Sequence, residues 1–258
     1  MNAPDLLNPV RSAGVAPARQ MALDLGPGPA DQLDDFEPGR NLEVLAWLHG
    51  WPQSASPGRP AYLWGPQGSG KTHLLRGLAA QALGQGWQVL WLDSRGVQSW
   101  STGHPAAPCL VLMDDCERLD AQQQHWAFTL FIECASAHAA LASGHPSADG
   151  QPQAIVAAGR CPPVDLPVRD DLRTRLGWGL IFGVEPLDEA GVREVLLREC
   201  RRRGLRLADG VLPYILTHFS RNLGFLMALL ERLDRYALAE QRVLTIPLIK
   251  DMLAQETA

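Results

Sequence analysis

The clearest chemistry in this sequence lies in the run Gly65-Pro66-Gln67-Gly68-Ser69-Gly70-Lys71-Thr72, which fits the pattern G-x-x-x-x-G-K-[ST]. Glycines let the backbone curl, so that successive N–H groups point inward and cradle a phosphate. The Lys71 ammonium can reach the β- and γ-phosphates of a nucleotide, and the Thr72 hydroxyl can ligate Mg²⁺. We therefore predict a phosphate-binding P-loop, the alternative being a glycine-rich loop that matches the pattern by chance.

The segments on either side of this loop favour the phosphate-binding interpretation. Residues 61–64 have the composition of a short buried strand, and residues 72–80 carry apolar side chains at helical spacing. The positive N-terminal end of such a helix adds to the attraction for phosphate. The residues predicted to bind the nucleotide are Gly65, Pro66, Gly68, Ser69, Gly70, Lys71, Thr72 and His73.

Two carboxylates follow the continuous apolar run 109–113, namely Asp114 and Asp115. Such a run is typical of a central parallel strand that is buried on both faces. Ligands of open α/β sheets bind at the carboxyl ends of the strands, so we expect Asp114 beside the P-loop, where it would hold Mg²⁺ with Thr72. Asp115 would occupy the place where ATPases with similar motifs have a catalytic, water-polarising acid. The alternative is an exposed Asp-Asp turn after the strand.

Composition and charge exclude several classes of protein. The chain has 258 residues, 46% of them hydrophobic, which is enough for one large domain or for a large and a small one. The formal net charge of -5 argues against a dedicated, sequence-specific DNA-binding protein. The five cysteines form no C-x-x-C pair, and we expect them to be reduced. No signal peptide or membrane-spanning apolar run is present, so we expect a cytoplasmic protein without membrane contact.

Alternating strand and helix patterns predict an α/β fold in which helices flank a parallel sheet. The predicted strands are 61–64, 87–92, 109–113, 154–158 and 180–184, and the predicted helices among them are 42–48, 72–80, 122–140 and 172–175. We expect irregular structure over 94–108 and a mobile loop over 143–153.

From Asp188 onward only helical patterns remain, which predicts a small all-α subdomain. Its predicted helices are 188–203, 209–219, 222–239 and 245–255. We expect the basic run 201–203 to be solvated at a helix end. The predicted division is therefore a flexible tail (1–35), an α/β nucleotide-binding domain (36–186) and a helical lid (187–258).

One segment, Arg173-Thr174-Arg175-Leu176-Gly177-Trp178-Gly179-Leu180, closely resembles the arginine-finger box of the DnaA family of AAA+ ATPases. The runs 70–75 and 113–115 are also similar to that family, and the resemblance extends from about 36 to 238. It implies a P-loop sheet domain with a lid, and ADP or ATP with Mg²⁺ as cofactor. It also implies that Arg175 is a catalytic finger acting on the nucleotide of a neighbouring molecule. The alternative for Arg175 is a salt bridge with Asp170 or Asp171.

Two positions depart from the family pattern. Gly224 lies where the family has a nucleotide-contacting arginine on the third lid helix, and Ala158-Gly159 take the place of a polar sensor residue after the fourth strand. Both losses argue against efficient hydrolysis by this chain itself. We therefore expect at most a weak intrinsic ATPase that holds its nucleotide as a structural switch.

The Pro/Gly-rich tail contains an apolar patch, residues 20–25, that resembles a sliding-clamp-binding peptide. In an extended backbone, Leu23 and Leu25 would enter an apolar groove while Gln20 sets the register, and Met21 belongs to the same predicted contact. The alternative is an arm that docks on the protein's own surface. Because the sequence ends at Ala258, we expect no helix-turn-helix domain.

Together these resemblances imply an inhibitor of DNA replication initiation. Its expected partners are DnaA and the sliding clamp, the β subunit of DNA polymerase III, and a homodimer is left open. One alternative is a helicase loader or remodelling ATPase of related fold, which the intact Lys71 and Asp114 favour. Another is a pure interaction module that has lost nucleotide binding, which the same two residues disfavour.

Overall fold

The computed structural model describes residues 32–53, 59–100, 107–143, 152–220, 222–240 and 243–256. The predicted clamp peptide and most of the predicted loop 143–153 lie outside these ranges. The described strands are β1 (Ala61–Trp64), β2 (Gln88–Asp93), β3 (Gly96–Trp100), β4 (Cys109–Met113), β5 (Pro152–Gly159) and β6 (Leu180–Gly183). The described helices are α1 (Leu42–His49), α2 (Lys71–Gly84), α3 (Ala121–Ala142), α4 (Asp170–Leu176), α5 (Glu189–Arg202), α6 (Val211–His218), α7 (Leu223–Glu240) and α8 (Ile246–Glu256).

The strands form one six-stranded sheet in the order β3-β2-β4-β5-β1-β6. All neighbours are parallel except β2 and β3, so the predicted parallel α/β sheet flanked by helices is confirmed. β5 lies between β1 and β4, and the P-loop, Asp114 and the residues after β5 therefore meet at one edge of the sheet.

The prediction of irregular structure over 94–108 is wrong for residues 96–100, which form β3 antiparallel to β2. The connecting turn is shaped by the Asp93 carboxylate, which accepts a hydrogen bond from the Arg95 backbone N–H at 2.8 Å. β3 is an edge strand with only Trp100 buried, and its polar residues conceal the strand pattern. β5 also begins two residues earlier than predicted, at Pro152.

Helices cover both faces of the sheet, which is why every residue of β4 is buried. Since side chains alternate along a strand, Leu63 packs toward α1 and α2, whereas Tyr62 packs toward α3 and α4. The two cores thus hold β1 rigidly from both sides, and the P-loop begins directly after this strand.

The lid, α5 to α8, has a hydrophobic core of its own, which confirms the predicted all-α region. Asp188 caps α5: its side chain accepts a hydrogen bond from the Gly191 N–H at 2.8 Å. All five cysteines are free, and four of them are buried. Among the described residues, no helix has the length and apolar character needed to cross a membrane.

Replacing Leu63 with alanine tests how much the packing of β1, the strand before the P-loop, contributes to the free energy of unfolding. Leu63 is completely buried, so Leu63→Ala should lower the free energy of unfolding by about 2–5 kcal/mol through lost burial and a residual cavity. Leu180 on β6 is 38% exposed, and Leu180→Ala, the matched control, should lower it by at most about 1 kcal/mol. Chemical denaturation measures both, and equal losses would contradict this assignment of the core.

Candidate nucleotide-binding site

The loop between β1 and α2 is confined by its neighbours as well as curled by its glycines. Gly68 and Gly70 have φ angles of 84° and 97°, in the left-handed region. A Cβ atom at position 68 would lie 2.5 Å from the Asn222 amide nitrogen, and one at position 70 would lie 2.6 Å from the Phe36 ring. Both glycines are therefore required by close approach, from the lid on one side and from Phe36 on the other.

Lys71 is the first residue of α2, and its side chain turns back into the loop. The ammonium Nζ donates hydrogen bonds to the carbonyl oxygens of Gly65 at 2.8 Å and of Pro66 at 3.0 Å. Burial lowers the pKa of Lys71, while the nearby carboxylates of Asp114, Glu117 and Asp115 act in the opposite direction. The loop thus has a nearly buried cation fixed at its centre.

The two residues predicted to hold Mg²⁺ lie together. The Thr72 hydroxyl donates a hydrogen bond of 2.7 Å to the Asp114 carboxylate, and the Asp115 backbone N–H donates one of 3.0 Å to its other oxygen. Burial raises the pKa of Asp114, which the hydrogen bond from Thr72 partly offsets. Asp114 is thus buried, unlike the exposed turn considered as its alternative.

The donor set suits a cation that keeps part of its water. Among the described residues, no group of three His, Cys, Asp or Glu side chains could hold a metal ion. Mg²⁺ is commonly bound by one or two protein oxygens and completes its octahedron with water and substrate phosphates. Thr72 and Asp114 fit that requirement.

Asp115 has the only positive φ among the described non-glycine residues, 47°. This left-handed turn directs the chain into the short 3₁₀ turn Cys116–Arg118. The Asp115 carboxylate lines the same cavity as Lys71 and lies 3.5 Å from the Arg118 guanidinium. The structure therefore places it within reach of a ligand in that cavity.

A cavity of about 870 Å³ opens above the loop, between the sheet domain and the lid. Its size is within the range of ligand pockets, roughly 300–1,000 Å³. The Ser69 hydroxyl oxygen is buried and has no hydrogen-bond partner among the described residues, as expected of a group that faces an absent polar ligand. His73 also lines the cavity, and its ring lies 5.9 Å from that of Phe36. The residues present therefore fit a nucleotide.

The lid contributes charged residues that the sequence interpretation missed. Residues 201–203 are predicted to be solvated, but Arg202 and Arg203 line the cavity together with Arg198. Arg202 donates two hydrogen bonds, of 2.7 and 2.6 Å, to the buried Glu199 carboxylate, which Arg203 also contacts. These bonds, chiefly the one from Arg202, hold the pKa of Glu199 below its usual range. Their spacing of three and four residues along α5 is the signal that could have revealed one shared face.

Packing explains one of the two departures from the family pattern, the one at Gly159. A Cβ at Gly159 would lie 2.1 Å from the Tyr62 hydroxyl, which itself donates a hydrogen bond to the Cys161 carbonyl, so this position has no room for a sensor side chain. At the start of α7, Gly224 lines the cavity beside Asn222, whose amide donates to the Gln67 carbonyl at 3.3 Å. The lid thus touches the loop here through an amide instead of a guanidinium.

Arg175, the predicted arginine finger, lies on α4 and is not among the residues that line the cavity. Its guanidinium carbon is 4.4 Å from the centroid of the Trp178 ring. The two aspartates considered as its partners pair with other arginines: Asp170 with Arg173 at 3.0 Å and Asp171 with Arg169 at 2.6 Å. Among the described residues, Arg175 forms no ion pair.

Comparisons with known proteins agree with this architecture. The Hda lid domain family matches residues 188–253. An uncharacterized protein of Haemophilus influenzae is 28% identical over 236 residues, which cover 88% of this chain and 97% of that protein.

Among solved structures, domain III of DnaA from Thermotoga maritima matches with a TM-score of 0.66 and 19% identity, covering 88% of this chain and 97% of that one. AMPPCP-bound DnaA from Aquifex aeolicus matches with a TM-score of 0.58 and 20% identity, covering 80% and 65%. A mutant of RuvB from Thermotoga maritima matches with a TM-score of 0.59 and 15% identity, covering 87% and 71%.

The sheet order, the P-loop and the helical lid give this chain the fold of the AAA+ P-loop proteins that it matches. Residues 188–253 thus match the lid domain of Hda, and the chain as a whole resembles DnaA-related AAA+ proteins.

Replacing Asp114 with asparagine should separate folding from cation binding. Because burial raises the pKa of Asp114, its stabilising contribution is present below the ordinary pKa of aspartate and is lost as the pH rises through the raised value. At neutral pH the buried charge is therefore unfavourable, and Asp114→Asn should melt at a higher temperature than wild type without nucleotide.

The same variant should lose the further rise in melting temperature that Mg²⁺ adds to ADP or ATP, since a ligand stabilises only the state it binds. Thermal melts with and without nucleotide and Mg²⁺ measure both effects. Asp165→Asn, at an exposed position, is the control and should change neither. If Asp114→Asn melts below wild type without ligand, the carboxylate stabilises the fold and this interpretation is wrong.

Proposed function

We propose that this protein is a negative regulator of replication initiation that stimulates ATP hydrolysis by DnaA. The observation that carries the proposal is the position of Arg175. It lies outside the protein's own nucleotide cavity, in the segment that resembles the arginine-finger box, with no carboxylate partner among the described residues. An arginine so placed is available to the nucleotide of another molecule.

The chemistry of that role suits a guanidinium. Its charge is fixed and its planar N–H groups match phosphate oxygens, so it can neutralise the negative charge that develops on the γ-phosphate. The Trp178 face holds the Arg175 guanidinium by a cation–π contact and leaves its N–H edge available. Trp178, Leu180 and Ile181 are exposed apolar side chains just beyond it, as expected of a surface that another protein covers.

The protein's own site binds ADP or ATP with Mg²⁺ in this proposal. The loop N–H groups and Lys71 hold the phosphates, while Thr72 and Asp114 hold the cation, whose charge neutralises the phosphates. Asp115 is available as the catalytic acid, but the absence of a side chain at Gly159 and Gly224 supports weak turnover. The nucleotide then acts chiefly by joining the P-loop to the lid, because residues of both line the cavity.

Recruitment is assigned to the N-terminal peptide 20–25, which lies outside the described residues. Gln20, Met21, Leu23 and Leu25 would bind the sliding clamp as an extended peptide, with the leucines in an apolar groove. Inactivation of DnaA would then follow the loading of clamps on DNA. The main rival, a helicase loader, is favoured by the intact Lys71, Asp114 and Asp115, and it predicts ATP turnover stimulated by single-stranded DNA.

Arg175→Ala should retain nucleotide and clamp binding but lose the stimulation of ATP hydrolysis by DnaA. Arginine fingers supplied in trans are worth roughly 10³–10⁵ in rate, so stimulation should fall to the detection limit. Arg175→Lys should restore little, because an ammonium does not reproduce the planar two-pronged contact. The assay follows hydrolysis of ATP bound to DnaA, with clamp loaded on DNA.

Arg169→Ala is the matched control, because it removes an arginine from the same segment that pairs locally with Asp171. It should stimulate DnaA as wild type does. Normal stimulation by Arg175→Ala, or none by wild type, would contradict the proposal and leave the helicase-loader function in its place.

Deleting residues 1–26, or combining Gln20→Ala with Leu23→Ala, should abolish clamp binding and leave nucleotide affinity unchanged. The reason is that both variants lack predicted clamp contacts in residues 20–25, whereas the P-loop is unchanged. Binding to immobilised clamp measures the loss, and Leu6→Ala with Leu7→Ala removes two leucines from the same tail as a control. Wild-type clamp binding by the deletion variant would show that the contact lies elsewhere.

A further inference from the structure

An ion pair that the proposed mechanism does not use lies at the wall of the nucleotide cavity, which one of its members, Arg160, lines. The Arg160 Nε atom is 2.9 Å from a carboxylate oxygen of Glu117, and the Arg160 backbone N–H donates a hydrogen bond of 3.2 Å to the other oxygen. The Glu117 side chain is only 12% exposed, whereas that of Arg160 is 48% exposed. The carboxylate is thus largely buried, whereas the half-exposed guanidinium belongs to a residue that lines the cavity.

The position of this pair in the sheet brings it to the phosphate end of the cavity. Arg160 directly follows Gly159, the last residue of β5, and β5 lies between β1 and β4. Arg160 therefore stands between the P-loop and the Asp114-Asp115 turn, and it lines the cavity with Lys71 and Asp115. Its charge also acts on Lys71: after burial, which is the main cause, Arg160 further lowers the pKa of that lysine, whereas Glu117 raises it.

The guanidinium has unused donors. An arginine carries five N–H groups, and within the described part of the chain the two terminal nitrogens of Arg160 donate no hydrogen bond. The cavity-lining arginine Arg198 is committed elsewhere, since it binds the Asp35 carbonyl at 2.7 Å and the Glu37 carboxylate at 3.4 Å. Of the arginines that line the cavity, Arg160 is the one that follows a strand of the sheet, next to the strand that leads into the P-loop.

We propose that Arg160 contacts the γ-phosphate of the nucleotide in this protein's own site, so that the site distinguishes a nucleoside triphosphate from a diphosphate. Glu117 holds the guanidinium back when the diphosphate is bound. The proposal rests on the nucleotide binding proposed above. With no side chain at Gly159 or Gly224, Arg160 supplies the polar contact missing at the first position and the positive charge missing at the second.

The test compares the Kd values of ADP and of AMPPCP, a triphosphate analogue, in the presence of Mg²⁺ by calorimetry. Arg160→Ala should weaken AMPPCP binding by about tenfold or more, the usual effect of losing one charge-assisted hydrogen bond, and change the Kd of ADP by less than about twofold. Lys71→Ala should weaken both nucleotides. Arg201→Ala removes an exposed lid arginine that is not in the cavity and should weaken neither.

A double-mutant cycle tests the role of Glu117. Glu117→Gln keeps an acceptor for the Arg160 N–H but removes the charge, so it should tighten AMPPCP binding relative to ADP. In the Arg160→Ala background this gain should vanish, because the released arginine is its cause. If Glu117→Gln still tightens AMPPCP binding in the Arg160→Ala background, the cause is the loss of a negative charge near the cavity. The proposal that Glu117 restrains Arg160 would then be wrong.

The outcomes separate this inference from the proposed function. If wild type binds both nucleotides and Arg160→Ala weakens them equally or not at all, the contact with the γ-phosphate is wrong while nucleotide binding stands. If wild type binds neither nucleotide, nucleotide binding itself fails and this inference fails with it. The test measures only nucleotide Kd values, so its result does not depend on whether the protein stimulates DnaA.

Discussion

The feature on which the site depends is a buried cation, Lys71, and a buried carboxylate, Asp114, which are held at one edge of the sheet at a cost in stability. Burial lowers the pKa of Lys71 and raises that of Asp114, so each charge is unfavourable in isolation. Carbonyl oxygens of the loop accept from Lys71, and Thr72 donates to Asp114. The strands β1 and β4 must end where they do, because a shift of either would leave one of these charges unsatisfied.

The lid and the Phe36 segment are placed by the same requirement. The loop can approach Asn222 and Phe36 only because Gly68 and Gly70 have no side chains. The Asn222 amide then binds the Gln67 carbonyl, and Arg198 ties α5 to Asp35 and Glu37. These contacts bring three separate parts of the chain around one cavity. A ligand held there would touch all three and therefore stabilise their arrangement.

The arginines of the protein fall into groups with different surroundings. Arg202 and Arg203, at the end of α5, share the Glu199 carboxylate and line the lid side of the cavity. Arg160 is paired with Glu117 and lines the cavity, whereas Arg175 lies against an exposed tryptophan outside the cavity. The protein thus carries positive charge both at its cavity and on an exposed surface.

The sequence by itself determined the P-loop, the buried strands and the helical lid. Each of these is encoded by a local pattern: glycine spacing, continuous apolar runs, or a helical period with a cap at Asp188. It also predicted that Asp114 would meet Thr72, because parallel strands end at a common edge. The short edge strand β3 was not predicted, because its exposed and half-exposed polar residues leave little periodic signal in the sequence.

Only the tertiary structure decided which charges meet across the chain. Glu117 and Arg160 lie 43 positions apart, and Glu37 and Arg198 lie 161 apart, so no local pattern links them. The reason that Gly159 has no side chain is likewise tertiary, because the Tyr62 hydroxyl from the neighbouring strand occupies that space. Sequence patterns specify elements through nearest neighbours, whereas such contacts depend on how the completed sheet and lid bring distant residues together.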